Sequence, residues 1–305
     1  MSSIQIALAG ATGNLGVPIL KALLEGQFSV TVLSRRGGNS SKLTSHPNLK
    51  IEEVDFDCVQ SLTAALQGVE VVVSCVSTLA IGNQNSLIDA SVAAGVKRFV
   101  PAEFGMDSLN PLCAQLPVCA PKVATQRYLH EKCLAYPEFS WTGIANGLFL
   151  DWGMKVGFIV NPYRHAATHY NGGDVPFSAT KLADVVKAVL AIIHKQEQTA
   201  NRLLYIQSTL ITQNQLIQYT KDIDGKEWHT QERNTEEIRK ESLVALANGD
   251  LMAAMDGFCV AASWNADYGC DFSNHLDNEE LGLKLLDEPG LRLLVQGILQ
   301  REEQV

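Results

Sequence analysis

Three glycines near the start of the chain are spaced for phosphate chemistry. Gly10, Gly13 and Gly16 stand in the order GxxGxxG within Gly10-Ala11-Thr12-Gly13-Asn14-Leu15-Gly16. That spacing lets a chain turn tightly, bring bare backbone against a pyrophosphate and pack a helix on a strand. Phosphates held there face the first amides of a helix, where unpaired N–H groups and the helix dipole favour an anion. The spacing alone is a weak signal; its surroundings strengthen it. An apolar run over residues 4–9 has strand character, and Ile19, Leu20, Leu23 and Leu24 follow at helical spacing. The context predicts a dinucleotide site using Gly10, Thr12, Gly13, Asn14, Leu15 and Gly16, with a ligand-free strand-to-helix turn as the alternative.

The charges after the second strand select among dinucleotides. In the NAD-specific version of this arrangement an Asp or Glu ends that strand and takes the ribose hydroxyls. Here Val30-Thr31-Val32-Leu33 runs into Ser34-Arg35-Arg36. Two guanidiniums at that point suit a 2′-phosphate through charge-assisted, often bidentate hydrogen bonds. Lys42 adds a third positive charge, and NADP(H) is the expected cofactor. Ser77, beyond the fourth strand, is assigned to the same ligand. Asp55, ending the third strand, is a candidate neighbour of the adenine or an exposed loop acid. Asn146, ending the sixth, is placed to meet the nicotinamide amide, or else forms a turn.

These residues need a parallel sheet to position them. Strand-like runs near 4–9, 29–34, 49–54, 69–75, 97–101 and 139–146 alternate with helical stretches near 14–26, 58–67, 83–95 and 120–136. Such alternation predicts an α/β, Rossmann-type doubly wound sheet with helices on both faces. We divide the chain into a cofactor-binding domain over 1–155 and a smaller α+β substrate region over 156–305, partly interleaved with the sheet. In that second part a glycine-rich hairpin signal, Asn171-Gly172-Gly173-Asp174, separates two possible strands. A helix is expected over 182–194 and another from Thr212, with Gln215 completing a capping box.

Composition narrows the function further. The 305 residues are 46% apolar, enough for a large core. Of the net charge of −9, almost all lies in residues 151–305, which hold 14 basic and 22 acidic groups against 10 and 11 in residues 1–150. No basic stripe offsets this, so nucleic acid is not an expected partner. No apolar run approaches a membrane span and no leader pattern is visible. Seven cysteines without a CxxC pair read as reduced thiols in a cytoplasmic protein. A small molecule is the expected partner, and the protein a monomer or homodimer.

The motifs resemble those of the isoflavone-reductase-like and NmrA-like group of atypical short-chain dehydrogenases/reductases. The resemblance rests on the glycine turn, Arg35, Gln84, Val96-Lys97-Arg98-Phe99-Val100-Pro101-Ala102-Glu103-Phe104-Gly105, with Ala102 where the group has Ser, and the fungal-type segment Thr142 to Trp152. It covers residues 1–185 well and the remainder in outline. It implies reduction of phenylpropanoid-like or other secondary metabolites, with a lone lysine as general acid/base at the position of Lys122.

A competing pattern, Tyr128-Leu129-His130-Glu131-Lys132, fits the YxxxK of ordinary short-chain dehydrogenases. There the lysine begins a long helix that leads into the next strand. From Lys132 only about seven positions remain before Phe139; from Lys122 there are about seventeen, close to what a helix of roughly four turns needs. Pro121 also suits a helix start. Glu103, at the carboxyl edge of the fifth strand, is a second acid/base candidate, or a brace for its loop. Phe104, Phe149 and Trp152 are expected as apolar walls for substrate, though each could equally be core.

Four other readings arise from the same sequence. His165 and His169 are four apart but lie in an extended stretch, so no metal is expected. No GxSxG elbow supports a hydrolase. A redox-sensing regulator without turnover, and a non-redox enzyme that forms and cyclises imines, both remain open beside the reductase.

Overall fold

The computed structural model describes residues 4–302. In the first half, β1 (Gln5–Ala9), α1 (Gly16–Glu25), β2 (Ser29–Arg35), β3 (Leu49–Val54), α2 (Val59–Ala65), β4 (Val71–Ser74), α3 (Asn85–Ala93), β5 (Arg98–Val100), α4 (Ala120–Ala135) and β6 (Ser140–Ala145) form where the alternation places them. Then come β7 (Leu148–Phe149), α5 (Leu150–Lys155), β8 (Ala166–Tyr170), β9 (Phe177–Thr180), α6 (Leu182–His194), β10 (Arg202–Tyr205), β11 (Thr209–Ile211), α7 (Gln213–Asp224) and β12 (His229–Arg233). Helices α8 (Thr235–Ala247), α9 (Leu251–Trp264) and α10 (Glu288–Glu302) complete the described chain. None of the described helices is long and apolar enough to cross a membrane.

Seven strands make one sheet in the order β10-β6-β5-β4-β1-β2-β3. Pairings of β1 with β2 and β4, β2 with β3, and β5 with β4 and β6 are all parallel. Central β4 is an almost continuous apolar run, as a strand covered on both faces should be: Val71, Val72 and Val73 are all fully buried. The order reverses between β1 and β4, and the carboxyl ends of those strands open the crevice where such sheets bind ligands. The Rossmann-type expectation holds.

The chain divides into two compact units, each assembled from three stretches. The first comprises the chain up to Glu103 with Pro121–Ile144 and Val186–Leu204. Its core runs through Ala7, Leu33, Leu62, Val72, Phe99, Leu129 and Trp141. The second comprises Phe104–Ala120, Ala145–Val185 and the chain from Tyr205 on. It holds the small sheet β11-β9-β7, the pair β12-β8 and a core around Phe177, Trp228 and Trp264.

The glycine-rich turn corrects the hairpin expectation. Strands form on both sides of it, but β8 pairs with β12 and β9 with β7 and β11. Asn171, Gly172 and Gly173 all take positive φ. The Asn171 side chain donates to Thr235 Oγ1 and the Trp264 carbonyl, and Asn214 donates to the Gly172 carbonyl. The turn is tied to distant elements and sends the two strands to different sheets. Thr212 and Gln215 form the expected capping box on α7.

Arg98 ties the far side of the first unit together. It is 1% exposed, and its guanidinium donates to Ser140 Oγ (2.9 Å), Thr142 Oγ1 (2.8 Å), Thr199 Oγ1 (2.9 Å) and the Gln196 carbonyl. Burial lowers its pKa to about 10, so it stays charged at neutral pH. A Met in its place fills similar space but leaves four acceptors without this donor, two of them, Thr142 and Thr199, fully buried. Arg98→Met is expected to destabilise the protein by roughly 3 kcal/mol, read as a lower urea midpoint. A midpoint equal to that of the native protein would show that the network contributes nothing.

Candidate functional site

The glycine turn leaves β1 and enters α1 at the strand-order reversal. Gly10 has φ +79°, and a Cβ there would lie 2.3 Å from the Cys75 carbonyl oxygen, beyond β4. A Cβ on Gly16 would lie 2.0 Å from the Gly10 carbonyl oxygen. Both positions exclude any side chain on steric grounds. Gly13 differs: its φ is not positive, and an added Cβ would meet only the Gly10 carbonyl oxygen, at 3.3 Å. Thr12, Gly13 and Asn14 face solvent while Leu15 is buried beneath them. No side chain caps α1, no acid stands in its first turn, and no backbone carbonyl among the described residues takes the amides of Asn14, Leu15 and Gly16. Donors without partners, no opposing carboxylate and bare backbone make a fitting cradle for a pyrophosphate.

At the end of neighbouring β2, Arg35 and Arg36 are exposed, and a short 3-10 turn over Asn39–Lys42 brings Lys42 into the same loop. None of the three has an ion-pair partner among the described residues. Ser77 is exposed and precedes a 3-10 turn after β4. Cys75 is half-buried, and desolvation pushes its thiol to about 12, which makes it inert at neutral pH. Asp55 is exposed; its backbone N–H donates to Ser61 Oγ and its carboxylate accepts from the Asp57 N–H, so it caps its own loop.

The acid/base candidates converge at the carboxyl end of β5. There the chain makes a tight turn in which the Glu103 N–H donates to the Pro101 carbonyl (2.8 Å). Gln84 Oε1 accepts from the Ala102 N–H (3.1 Å). The buried face of α4 carries Lys122, Thr125, Gln126 and Leu129. In its first turn, Lys122 donates its ammonium to the Glu103 carbonyl. One turn on, Gln126 Nε2 donates to Glu103 Oε1 at 2.8 Å. Glu103 is 3% exposed and Lys122 4%.

Tyr128 and Lys132 are engaged elsewhere. Tyr128 Oη donates to Asp89 Oδ1 (2.7 Å), and Lys132 Nζ lies 2.6 Å from the same oxygen, on α3. Burial and the Asp89 bond raise the Tyr128 phenol above its ordinary value, against the lowering effect of Lys132. That is the opposite of what a proton-donating YxxxK tyrosine needs.

Within the second unit, Phe104 has φ +24°, a region that side chains other than glycine rarely adopt. Asn146 follows β6; its Nδ2 donates to the Gly147 carbonyl (3.0 Å), while its buried Oδ1 has no hydrogen-bond partner. Phe149 and Trp152 are half-buried and pack edge-to-face with ring centres 6.4 Å apart. His165 pairs with Asp224 (2.7 Å) and His169 with Glu232 (3.0 Å), so the two histidines serve different carboxylates.

A family model described as the NmrA-like family matches residues 2–281. The chain belongs to that family. Among curated proteins this NmrA-like chain is 33% identical over 257 residues to the oxidoreductase aprR of Aspergillus flavus, covering 82% of this chain and 84% of that one. It is 30% identical over 265 residues to the oxidoreductase poxI of Penicillium oxalicum, covering 84% and 80%. Among solved structures, the leucoanthocyanidin reductase–NADPH complex of Vitis vinifera superimposes with a TM-score of 0.74 at 17% identity, covering 97% of this chain and 99% of the other.

Two residues of this NmrA-like chain that bear on Glu103 escaped the sequence reading. Gln126 stands four residues after Lys122 and thus on the same helical face, a signal the spacing does offer. Gly143 lies inside β6, where a Cβ would come 3.1 Å from Glu103 Cγ and 2.8 Å from Leu203 Cδ1. A glycine within a strand marks such a close approach, but nothing local says which neighbour approaches.

Proposed function

We propose that the protein is an NADP(H)-dependent oxidoreductase that reduces a small, aromatic or secondary-metabolite substrate at an enone, imine or carbonyl. The observation that carries this is the pairing, on adjacent strand ends, of an uncapped helix N-terminus with two unpaired arginines. The backbone of residues 10–16 holds the pyrophosphate, Arg35 and Arg36 with Lys42 hold the 2′-phosphate, and Ser77 adds a hydroxyl. Bound NADPH supplies the hydride. Lys122, fixed at Nζ by the Glu103 carbonyl, provides the balancing proton, and the Glu103 carboxyl exchanges protons nearby. The first unit is assigned to the cofactor. The second is assigned to the substrate, with Phe104, Phe149 and Trp152 as apolar contacts. The oxidoreductase names of the two fungal relatives support the same reading.

Cofactor choice is tested by calorimetric titration. Native protein is expected to bind NADPH at least about tenfold tighter than NADH, or about 1.4 kcal/mol. Arg35→Asp should invert or abolish that preference, because a carboxylate repels a 2′-phosphate and accepts from free ribose hydroxyls. Equal native affinities would overturn the assignment. Turnover is tested by following NADPH absorbance against a panel of aldehydes, enones and imines, with mass spectrometry of the products. No consumption across the panel would favour a binding protein.

A further inference from the structure

We propose that Gln126 is a positioning residue for Glu103, fixing the direction and the proton affinity of its carboxyl group. The inference deepens the proposed function, because it rests on reading Glu103 as a proton-exchanging group.

The geometry is a two-point grip from one helix. Lys122 and Gln126 are four residues apart on the buried face of α4, so their side chains project together. Lys122 holds the backbone carbonyl of Glu103, and Gln126 holds carboxylate oxygen Oε1 at 2.8 Å. The turn they grip needs such support. Its Glu103 N–H folds back onto the Pro101 carbonyl two residues before, and the next residue, Phe104, takes φ +24°. Backbone of that kind persists where its surroundings over-determine it, and it gathers at functional sites. Gly143 completes the arrangement, since a Cβ there would lie 3.1 Å from Glu103 Cγ. The Glu103 side chain therefore lies over bare strand backbone.

The chemical type of the donor matters as much as its place. Gln126 is 7% exposed and Glu103 3%, so water competes little for the bond between them. A cation at position 126 would hold the carboxyl ionised by charge. An apolar residue would withdraw a donor and favour the neutral acid. A neutral amide aims the carboxyl without adding a charge that would lock its ionisation. A brace for the turn alone could be built on the backbone, as Lys122 shows. A donor placed on the carboxylate itself acts on the ionisable atoms.

The test uses the full-length protein with carbon-13-labelled glutamate, the Glu103 carboxyl being assigned by its disappearance in Glu103→Gln. In Gln126→Met, which keeps the length and loses the donor, the Glu103 titration midpoint is expected to rise by about one pH unit. In Gln126→Arg it is expected to fall. An unmoved midpoint in both variants overturns the proposal, and Gln126→Arg alone decides it should Gln126→Met fail to fold. The pH profile of NADPH consumption, with a substrate found in the panel above, separates this proposal from the reading beneath it. A rate profile that moves with the carboxyl upholds both. A moved carboxyl with an unmoved profile upholds the coupling and removes Glu103 from the chemistry.

Discussion

Gly13→Val is expected to abolish NADPH binding while leaving the fold intact, with affinity falling at least about 100-fold, or about 2.7 kcal/mol. The three glycines of the turn are not equivalent in this respect. At Gly10 and Gly16 a Cβ would strike a backbone carbonyl at 2.3 Å and 2.0 Å, so substitution there disrupts the strand-to-helix turn before any ligand is considered. At Gly13 the φ is not positive and a Cβ meets a single atom, the Gly10 carbonyl oxygen at 3.3 Å, a tight contact relieved by a shift of a few tenths of an ångström. A branched side chain at that exposed position therefore costs the fold far less than one at Gly10 or Gly16, yet on the proposed cofactor assignment it stands where the pyrophosphate approaches the amides of Asn14, Leu15 and Gly16. Calorimetry and thermal melting of the same sample separate the two effects. Native affinity in Gly13→Val would reduce the motif to a turn and remove the base of the cofactor assignment.

That distinction shows what spacing can and cannot convey. The order GxxGxxG, between an apolar run and a helical pattern, places the turn correctly, because strand, turn and helix are each set by residues close in sequence. Likewise the helix-length argument puts Lys122 in the first turn of α4 and Lys132 in its last, as the structure has them. Contacts that join distant stretches are another matter. Asp89 draws Tyr128 and Lys132 to α3, and nothing within 128–132 announces it. The KRF motif is visible, but the four acceptors of Arg98 come from β6 and from the stretch between α6 and β10, 42 to 101 residues away. Strand β10 itself, only four residues long, carries too few positions to display a period. The turn at 171–174 misleads for the same reason. Its glycines mark a sharp change of direction, while partner choice is set by Thr235, Trp264 and Asn214.

Loss of Lys122 is expected to cut turnover about 10²-fold or more, the range for a positioned acid/base. The structure dictates which variants make that result informative. Lys122 also donates to the Glu103 carbonyl, so Lys122→Ala removes a support of the strained turn together with the proton donor. Lys122→Arg separates the roles: it keeps a donor for the carbonyl but stays protonated throughout the working range. A structural lysine is rescued by arginine, whereas an acid/base lysine is not. Both Lys122→Met and Lys122→Arg should therefore be slow, with NADPH affinity measured beside the rate because a lysine in this turn can also touch ribose. Tyr128→Phe and Lys132→Ala should stay near native, since both side chains are committed to Asp89. If Tyr128→Phe is dead and Lys122→Met normal, the ordinary YxxxK chemistry applies and the lysine assignment falls. If product forms while NADPH absorbance stays flat, and Lys122 is still required, the same lysine serves a reaction without hydride transfer. The proton step then belongs to Lys122 and the redox step to no part of the reaction.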